Sequence, residues 1–271
     1  MKEDFKDFIE ASGLLEYDPD TISKIYRKNP KRLFKRLWQT LIPIFAYIIS
    51  VGFDKITGKL KNESQARYRA KQLTALLVEL GPAFVKAGQA LSTRPDIIPV
   101  VLLEELSQLQ DQLPGFSGDK AMELIEKDLD KNIKDIFLKI DKEPISAASL
   151  GQVHKAILKN GDVVAVKVQR PGLREQITLD LYIVRNIAIW LKNNIGLIRS
   201  DLVALIDELG KRVFEEMDYI NEAENAEKFR DMHQKNIKIA VPKIYNELTS
   251  RRVLTMEWIE GTKLTNLDDV K

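Results

Sequence analysis

The sequence predicts an α+β protein in which helices precede a small antiparallel sheet. Two changes of pattern along the chain support this prediction. From Asn62 to about residue 130, apolar residues recur with helical spacing. From Ile145 onward, the alternating stretch QVHKAIL and the β-branched run VVAVKV are typical of strands. Helical spacing then returns before AVPKIY and RRVLTMEWI, so the expected order is strand, strand, long helix, strand, strand.

The composition excludes several classes of site. The chain has 271 residues, 44% of them hydrophobic, which is ordinary for a folded protein with a buried core. A formal charge of +2 gives no chain-wide field that would favour nucleic acid. The absence of cysteine removes disulfides, thiolate metal sites and a cysteine nucleophile. We interpret His154 and His233, the two histidines, as structural or surface residues.

A basic cluster runs directly into an uncharged apolar stretch near the N-terminus. Lys24 to Arg36 contains seven basic residues and no acidic one, and Leu37 to Phe53 has no charge. The apolar stretch is slightly short for a membrane span and contains Gln39 and Pro43. A helix that lies on or dips into a bilayer with anionic lipid is one interpretation. A core helix beside a solvated basic linker is the other, and both stay open.

The N-terminal sequence MKEDFKDFIE lacks the apolar core of a secretory signal. We therefore expect the protein to stay on the cytoplasmic side of any membrane that it meets.

Helical segments fill the chain up to about residue 140. The first of them, Asn62 to Leu80, ends at Gly81-Pro82, and the next carries AFVKAGQALSTR. Shorter helices follow at VLLEELSQLQ and at Asp119 to Asp128. We divide the chain into an N-terminal segment (1–61), a helical extension (62–143) and a sheet-containing segment (144–271).

Lys167 lies in a predicted strand among valines, after a hairpin turn at Asn160-Gly161. Such a lysine either points outward from an edge strand or finds a carboxylate. The second possibility is the arrangement that holds a cation against the phosphates of ATP. The tetrapeptide VAVK alone does not decide between them.

The helix predicted from Asp201 to His233 carries three candidate carboxylates. Asp218 and Glu222 are four residues apart and share a helix face. Glu216 lies about 200° around a regular helix from Asp218. The three side chains therefore do not meet one lysine unless the helix is irregular.

Four motifs together resemble the UbiB family of atypical kinases, the aarF-domain proteins associated with prenylquinone metabolism. They are LGPAFVKAGQALSTRPDIIP, SAASLGQVHKA, VAVKVQRPG and EEMDYINEAENAEKF, and the likeness extends from about Leu80 to Leu264. The resemblance implies a small lobe like that of a protein kinase, preceded by a family-specific helical extension. The KxGQ element, here Lys86, Gly88 and Gln89, has no counterpart in ordinary protein kinases.

The resemblance also implies roles for individual residues. Lys167 matches the phosphate-binding lysine, and Glu222 is its expected partner. Glu216 and Asp218 match the ExD element, which Lys86 of the KxGQ helix is expected to engage. With Gln89, these residues form the implied catalytic set. The implied nucleotide-binding residues are Ile145, Ala147, Ala148, Ser149, Gly151, Gln152 and Val153 in and after an alanine-rich loop, Ala165 and Lys167, and Met256, Glu257, Trp258 and Ile259 at a hinge.

The implied cofactors are ATP and Mg²⁺, with the metal ligands in a large lobe. A catalytic loop and an Asp-Phe-Gly element should follow the hinge, and neither occurs before Lys271. Asp268 and Asp269 are too near the hinge to replace them. We therefore expect this chain to lack the large lobe and to be inactive in isolation.

The resulting hypothesis is an atypical kinase or ATPase that supports prenylquinone biosynthesis at a membrane. Its substrate is expected to be small or lipid-like, because the KxGQ helix would block a peptide groove. Expected partners are anionic lipid or a quinone precursor and enzymes of quinone biosynthesis, but not nucleic acid. The alternative is a non-catalytic membrane-associated module that senses lipid or holds partner enzymes.

Overall fold

The structure, a computed structural model, describes residues 13–96, 98–110, 114–194 and 201–261. Asp268 and Asp269 lie outside these residues. The chain forms two compact units that alternate along the sequence. The helical unit contains the residues up to Pro114, Ala147–Leu150 and Arg170–Met217, and the sheet unit contains Gly115–Ser146, Gly151–Gln169 and the residues from Asp218 onward. The three-segment division of the chain at residues 61 and 143 remains a prediction.

The α+β class predicted from the sequence is confirmed. The helices are α1 (Pro19–Arg27), α2 (Pro30–Ile56), α3 (Glu63–Leu80), α4 (Pro82–Ser92), α5 (Val100–Ser107), α6 (Gly118–Leu129), α7 (Ile133–Ile136), α8 (Leu173–Asn194), α9 (Leu202–Glu216) and α10 (Tyr219–His233). The strands are β1 (Phe137–Ile140), β2 (Ser146–Ala147), β3 (Gly151–Leu158), β4 (Val163–Gln169) and β5 (Val253–Glu257).

Short polar residues begin several of these helices. Asp18 accepts a hydrogen bond from the Asp20 N–H at the start of α1, and Asn62 accepts one from the Ser64 N–H at the start of α3. Each satisfies a backbone donor that the first helical turn leaves without a partner. Gly81 separates α3 from α4 at φ +107°, a conformation that residues with a Cβ rarely adopt.

The prediction of one continuous helix over residues 201–233 is wrong. The chain leaves the helix after Glu216, and Asp218 is extended, with φ −103° and ψ 97°. Its carboxylate accepts a hydrogen bond from the Ile220 N–H and so begins α10. The apolar pattern hides this break, because Met217 and Tyr219 on either side of it are both fully buried.

The helical unit is organised around α8. Its core includes Ile177, Leu181 and Ile183 of α8, with Tyr26 of α1 and Phe214 of α9. The Tyr26 hydroxyl lies 2.7 Å from the Thr178 hydroxyl oxygen, so even this buried polar group has a partner.

A buried ion pair joins α2 to α8. Arg36 donates from Nε and Nη2 to the two carboxylate oxygens of Asp180, at 2.6 and 2.8 Å, and also donates to the Leu80 carbonyl. The Asp180 side chain is fully buried. Burial raises the pKa of Asp180, and the hydrogen bonds from Arg36 oppose this shift. Arg36 therefore has a structural role, although in the sequence it belongs to the basic cluster expected to face lipid or solvent.

The sheet is antiparallel, with the strand order β1-β3-β4-β5 and with β2 also paired to β3. The hairpin between β3 and β4 closes at Gly161, whose φ of +92° suits the predicted tight turn. On one face Val164, Val166 and Val168 pack with residues of α6 such as Ile125. On the other face α10 packs against β5.

The segment AVPKIY does not form a regular strand, although the sequence predicts one. It makes a single bridge, between Ile244 and Met256, while RRVLTMEWI contains β5 as expected. Pro242 lacks the N–H that a ladder position requires, which accounts for the short pairing.

We predict that Arg36→Ala lowers the free energy of unfolding by about 3 kcal/mol, because it leaves the Asp180 carboxylate buried without its cation. The control is Arg32→Ala. The Arg32 guanidinium is 44% exposed and lies 3.8 Å from Glu175, so its loss should cost about 1 kcal/mol or less. Urea denaturation followed by circular dichroism measures both values. Equal losses in the two variants would contradict the assignment.

Candidate functional site

Lys167 lies in a central strand. It pairs with Val153 of β3 on one side and with Leu254 of β5 on the other. The interpretation of Lys167 as a side chain of an edge strand is therefore wrong. Because side chains alternate along a strand, Val166 and Val168 are buried on the opposite face.

The ammonium group of Lys167 is held by Glu222 of α10. Its Nζ lies 2.7 Å from each of the two carboxylate oxygens. The Lys167 side chain is 25% exposed and that of Glu222 is 38% exposed. The pair is thus ordered by the sheet unit and still open to solvent and to a ligand.

Tyr219 supplies a second contact to the same ammonium group, and this contact was not predicted from the sequence. The Lys167 Nζ lies 4.6 Å from the centre of the Tyr219 ring, within the range of a cation–π interaction. Tyr219 precedes Glu222 by three residues, so both side chains project from the same face of α10. That spacing was the available sequence signal.

An apolar surface adjoins the ion pair on the same face of the sheet. Ala165 pairs with Met256, and Val153 pairs with Lys167. Directly paired residues, and residues two apart on one strand, have side chains on the same face. The four side chains therefore form a strip that is apolar apart from the ammonium group, and this strip suits a flat base next to an anionic group.

Gly151 is required at the start of β3 by close packing. A Cβ atom built there would lie 2.4 Å from the Val168 carbonyl oxygen and 2.8 Å from the Tyr219 hydroxyl oxygen. Any larger residue would therefore push the first turn of α10 away from the hairpin.

Gln152 lies on the opposite face from Lys167, because it pairs with Val168. Its side-chain oxygen accepts from the Phe116 N–H at 2.8 Å, and its Nε2 lies 3.0 Å from His154 Nε2. His154 Nδ1 in turn lies 2.8 Å from the Asp141 carbonyl oxygen. Gln152 thus fastens the segment before α6 to the sheet, and its side chain takes no part in the strip beside Lys167.

Burial lowers the pKa of His154. The neutral imidazole fits its two contacts, because Nδ1–H donates to the Asp141 carbonyl and Nε2 accepts from the Gln152 amide. The interpretation of His154 as a structural histidine agrees with this geometry.

Within the helical unit, the alanine-rich loop is fastened by Arg170. The Nε and Nη2 of Arg170 donate to the Ala148 carbonyl at 3.1 and 2.9 Å, and Nη2 also donates to the Pro114 carbonyl at 2.8 Å. The Arg170 N–H donates to the Leu150 carbonyl. Arg170 belongs to the motif VAVKVQRPG, but nothing in the local pattern shows which carbonyls its guanidinium reaches.

The other predicted loop residues differ in exposure. Ser149 is buried, Ala147 is half-buried and Ala148 is exposed. The Ile145 N–H donates to the Val153 carbonyl at 2.8 Å, while the Ile145 side chain is half exposed.

The KxGQ element lies on α4 in the helical unit. Lys86 forms an ion pair with Glu216 at the end of α9. A Cβ at Gly88 would lie 2.6 Å from a methyl carbon of Leu109, so this glycine permits close packing. Gln89 donates from Nε2 to the Leu109 carbonyl at 3.1 Å. Gly88 and Gln89 therefore fix the position of α4, and Lys86 forms the contact with the ExD element.

Asp218, the second acid of the ExD element, has a different partner. It belongs to the sheet unit and forms an ion pair with Arg251, with Nη1 2.8 Å from Oδ2. The break between α9 and α10 separates the two acids, so Glu216 and Asp218 serve different cations.

The predicted hinge overlaps the end of β5, whose last two residues are Met256 and Glu257, and two of its N–H groups are already bonded. The Glu257 N–H donates to the Lys243 carbonyl, and the Trp258 N–H donates to the Val163 carbonyl. The Ile259 N–H makes no backbone hydrogen bond within residues 201–261 or the other described ranges. Lys155 lies 4.3 Å from the centre of the Trp258 ring.

The described residues contain no group of three or more His, Asp or Glu side chains placed to hold a metal ion. They do match a nucleotide better than a metal. The ammonium group of Lys167 suits phosphate oxygens, the apolar strip suits a base, and Gly151 allows the hairpin backbone to lie close to its neighbours.

Comparison with known proteins identifies a family. A family model described as the ABC1 atypical kinase-like domain matches residues 108–271. The chain is 43% identical over 249 residues to Protein ACTIVITY OF BC1 COMPLEX KINASE 3, chloroplastic, from Arabidopsis thaliana, covering 92% of this chain and 35% of that protein. It is 46% identical over 263 residues to an aarF domain-containing protein kinase, chloroplastic, also from Arabidopsis thaliana, covering 96% and 37%.

A solved structure is also similar. It is a Mycobacterium tuberculosis protein in complex with erythromycin, with 30% sequence identity and a TM-score of 0.51. The match covers 79% of this chain and 53% of that one. The chain spans well under half the length of the curated relatives described above.

We predict that stability falls as the pH falls below the pKa of about 6.5 that His154 has when unfolded. The folded pKa is depressed, so the contribution is complete above that value and is lost as the pH falls toward the folded pKa. The measurement is the difference in unfolding free energy between the wild type and His154→Asn, because Glu175, whose pKa burial raises to about 7, titrates in both. A difference that does not change between about pH 8 and about pH 5.5 would contradict the neutral His154.

Proposed function

The chain belongs to the ABC1 atypical kinase-like family, and we propose that its sheet unit forms the phosphate-binding part of an ATP site. The observation that carries the proposal is the Lys167 ammonium group, fixed 2.7 Å from both oxygens of Glu222 on a central strand. The whole protein would act as an atypical kinase or ATPase. Relatives named as kinases support this class of reaction.

Lys167 and Glu222 have complementary roles in this proposal. A lysine side chain has several rotatable bonds, so an unheld ammonium group would pay an entropic cost on binding a phosphate. Glu222 and Tyr219 remove much of that cost in advance, because they already hold Nζ in place. The partial exposure of the pair leaves room for phosphate oxygens to approach.

The strip formed by Val153, Ala165 and Met256 would bind the base by excluding water from it. Ile259, with its N–H free of backbone partners in the described part of the chain, is the residue best placed to donate to a base nitrogen. A magnesium ion would neutralise phosphate charge when bound, but the described residues do not provide its ligands.

A membrane surface is the second part of the proposal, and α2 supports it. Apolar side chains project outward from Phe34 to Ile56, a span of about 33 Å at 1.5 Å per residue. The side chains on its inward face include polar ones, among them Thr40 and the buried Asp54, which accepts from Arg69 Nε at 2.6 Å. The outward side chains are Phe34, Trp38, Ile42, Phe45, Ile48, Ile49, Phe53 and Ile56, each more than half exposed.

This arrangement is the reverse of a helix on a water-facing surface, where the polar side faces outward. An exposed apolar face of this length marks an interaction site. Lys31 and Lys35 are exposed near its start, so an anionic lipid surface fits both the apolar contacts and the charge. The helix is also long and apolar enough to cross a membrane, but this is weak evidence by itself. We favour a helix on the surface, because Asp54 and Arg36 commit one face to protein.

A substrate that is small or lipid-like, such as a prenylquinone precursor, would fit an enzyme held at a membrane. This part rests on the family resemblance, as do the quinone-biosynthesis partners. The cytoplasmic side of the membrane stays a prediction. A non-catalytic module that senses lipid is the second candidate, and the exposed face of α2 favours it independently of any nucleotide.

We predict that Lys167→Ala weakens binding of ATP and ADP by about 10-fold or more, the value of a charge-assisted contact, and leaves adenosine binding unchanged. Glu222→Gln should reduce the same affinities less, because the lysine remains but is no longer held. The matched control is Lys159→Ala, an exposed lysine beside the hairpin turn of the same sheet. Isothermal titration calorimetry of the 271-residue chain measures each affinity. Equal ATP affinity in the wild type and Lys167→Ala would contradict the proposal.

We predict that reversing the charge of Lys28, Lys31 and Lys35 lowers sedimentation with anionic vesicles by about 10-fold or more, since each basic residue contributes about 1 kcal/mol near such a surface. Arg32 and Arg36 are left intact because they pair with Glu175 and Asp180. Replacing Phe45, Ile49 and Phe53 by serine should lower binding to neutral vesicles as well.

The control for the charge change is reversal of Lys235 and Lys238, which are exposed in the sheet unit. If this control releases the protein from anionic vesicles as strongly as the triple reversal does, the attachment through α2 is wrong.

A further inference from the structure

The first turn of α10 carries the two side chains that contact Lys167. Tyr219 is the first residue of the helix, and Glu222 donates its N–H to the Asp218 carbonyl one turn later. The position of Glu222 therefore depends on how this turn is fixed relative to β4.

The side chain of Arg251 is bound to the beginning of this turn. Its Nη1 lies 2.8 Å from Oδ2 of Asp218, while Oδ1 of the same carboxylate accepts from the Ile220 N–H at 3.1 Å. One oxygen thus caps the helix and the other binds the arginine. Both side chains are partly shielded from solvent, with exposed fractions of 42% for Arg251 and 22% for Asp218.

The backbone of Arg251 joins the same turn to β4. Its carbonyl accepts from the Tyr219 N–H at 3.2 Å and from Gln169 Nε2 at 3.0 Å. Gln169 lies two residues after Lys167 on the same strand and the same face. Arg251 is therefore bonded both to the helix that carries Glu222 and to the strand that carries Lys167.

The contact between Lys167 and Glu222 is sensitive to small movements of this turn. A displacement of the first turn by about 1 Å would move a carboxylate oxygen from 2.7 Å to beyond hydrogen-bond range of the ammonium group. The turn begins after a break in the helix, so the preceding helix does not impose its direction by continuous helical hydrogen bonding.

We propose that Arg251, through its ion pair with Asp218, is the positioning residue that holds α10 where Glu222 meets Lys167. The inference deepens the proposed ATP site and rests on it for its functional consequence. Asp218 then acts as a helix cap and a fixing point, and not as a group that contacts phosphate.

The neighbouring Arg252 provides a matched control. Its Nε donates to Oδ1 of Asp128 on α6 at 2.6 Å. α6 packs on the face of the sheet opposite to Lys167. Loss of either arginine side chain removes the same charge next to β5, but the Arg251 side chain binds Asp218 at the turn that carries Glu222, whereas the Arg252 side chain binds Asp128 on α6.

The test uses Arg251→Ala, Arg252→Ala and Asp218→Asn in the 271-residue chain. Asparagine still caps a helix, so Asp218→Asn removes the ion pair and keeps the cap. The first readout is the rate at which acetic anhydride modifies Lys167, measured by mass spectrometry without nucleotide. Glu222 covers the ammonium group at 2.7 Å, so its displacement exposes the amine to the reagent. We expect Arg251→Ala and Asp218→Asn to react about three- to tenfold faster than the wild type, and Arg252→Ala to react as the wild type does.

The second readout is the affinity for ADP relative to adenosine. We expect Arg251→Ala and Asp218→Asn to lose ADP affinity about three- to tenfold with adenosine affinity unchanged, a pattern that general loss of stability would not give. Arg251→Lys should restore part of the loss. If the wild type binds no nucleotide, the proposed ATP site fails, while the labelling rates still decide the role of Arg251.

Unchanged Lys167 reactivity in Asp218→Asn and Arg251→Ala would overturn the inference. Equal acceleration in Arg252→Ala would also overturn it, since the effect would then come from general destabilisation. Should Arg251→Ala fail to fold, Asp218→Asn alone decides, because it changes the charge and keeps the cap.

Discussion

Lys167 lies in the central strand of a small sheet, where its partly buried ammonium group requires an anion. The arrangement of the sheet unit depends on how that anion is supplied. Val166 and Val168 on either side of Lys167 are fully buried, so the strand is fixed by its apolar face. The ammonium group on the other face would be costly to shield without a partner. Glu222 and Tyr219 supply one, and both come from the first turn of α10. The position of α10 and the position of the Lys167 ammonium group therefore depend on each other.

The residue pattern was sufficient for the hairpin, and the family resemblance supplied the pairing of Lys167 with Glu222. Alternation and the Asn160-Gly161 turn specify β3 and β4. The same alternation places the Gln152 side chain on the face of the sheet that Lys167 does not share, whereas the family resemblance implied a role for Gln152 in nucleotide binding. The break at Asp218 was not predictable from apolar spacing, because Met217 and Tyr219 are buried on both sides of it. The partners of long side chains such as Arg170 could not be predicted from local pattern either. Arg170 meets the Ala148 carbonyl 22 residues away, and local pattern does not encode such contacts.

Charge is distributed in a way that the basic cluster did not reveal. Arg36 belongs to a run of seven basic residues, yet its guanidinium is committed to the fully buried Asp180. Further along α2, Asp54 pairs with Arg69. These pairs set which side of α2 faces the protein. The polar residues of α2 that form these pairs face the protein, so the side that faces outward is mostly apolar. This arrangement supports the proposed contact with lipid.

Arg251 and Arg252 are consecutive, but one binds Asp218 next to α10 and the other binds Asp128 on α6. This dipeptide therefore attaches α10 to one face of the sheet and α6 to the other. Consequently the spacing between this dipeptide and β5 matters as well as the identity of its residues. Deleting one residue at Ser250 would shift the following strand by one position, so that Arg252 takes the place of Arg251 and Thr255 takes the place of Leu254. The exposed stretch from Gln234 to Ala240 carries no such constraint, so insertions and deletions during evolution should accumulate there and be excluded from the dipeptide.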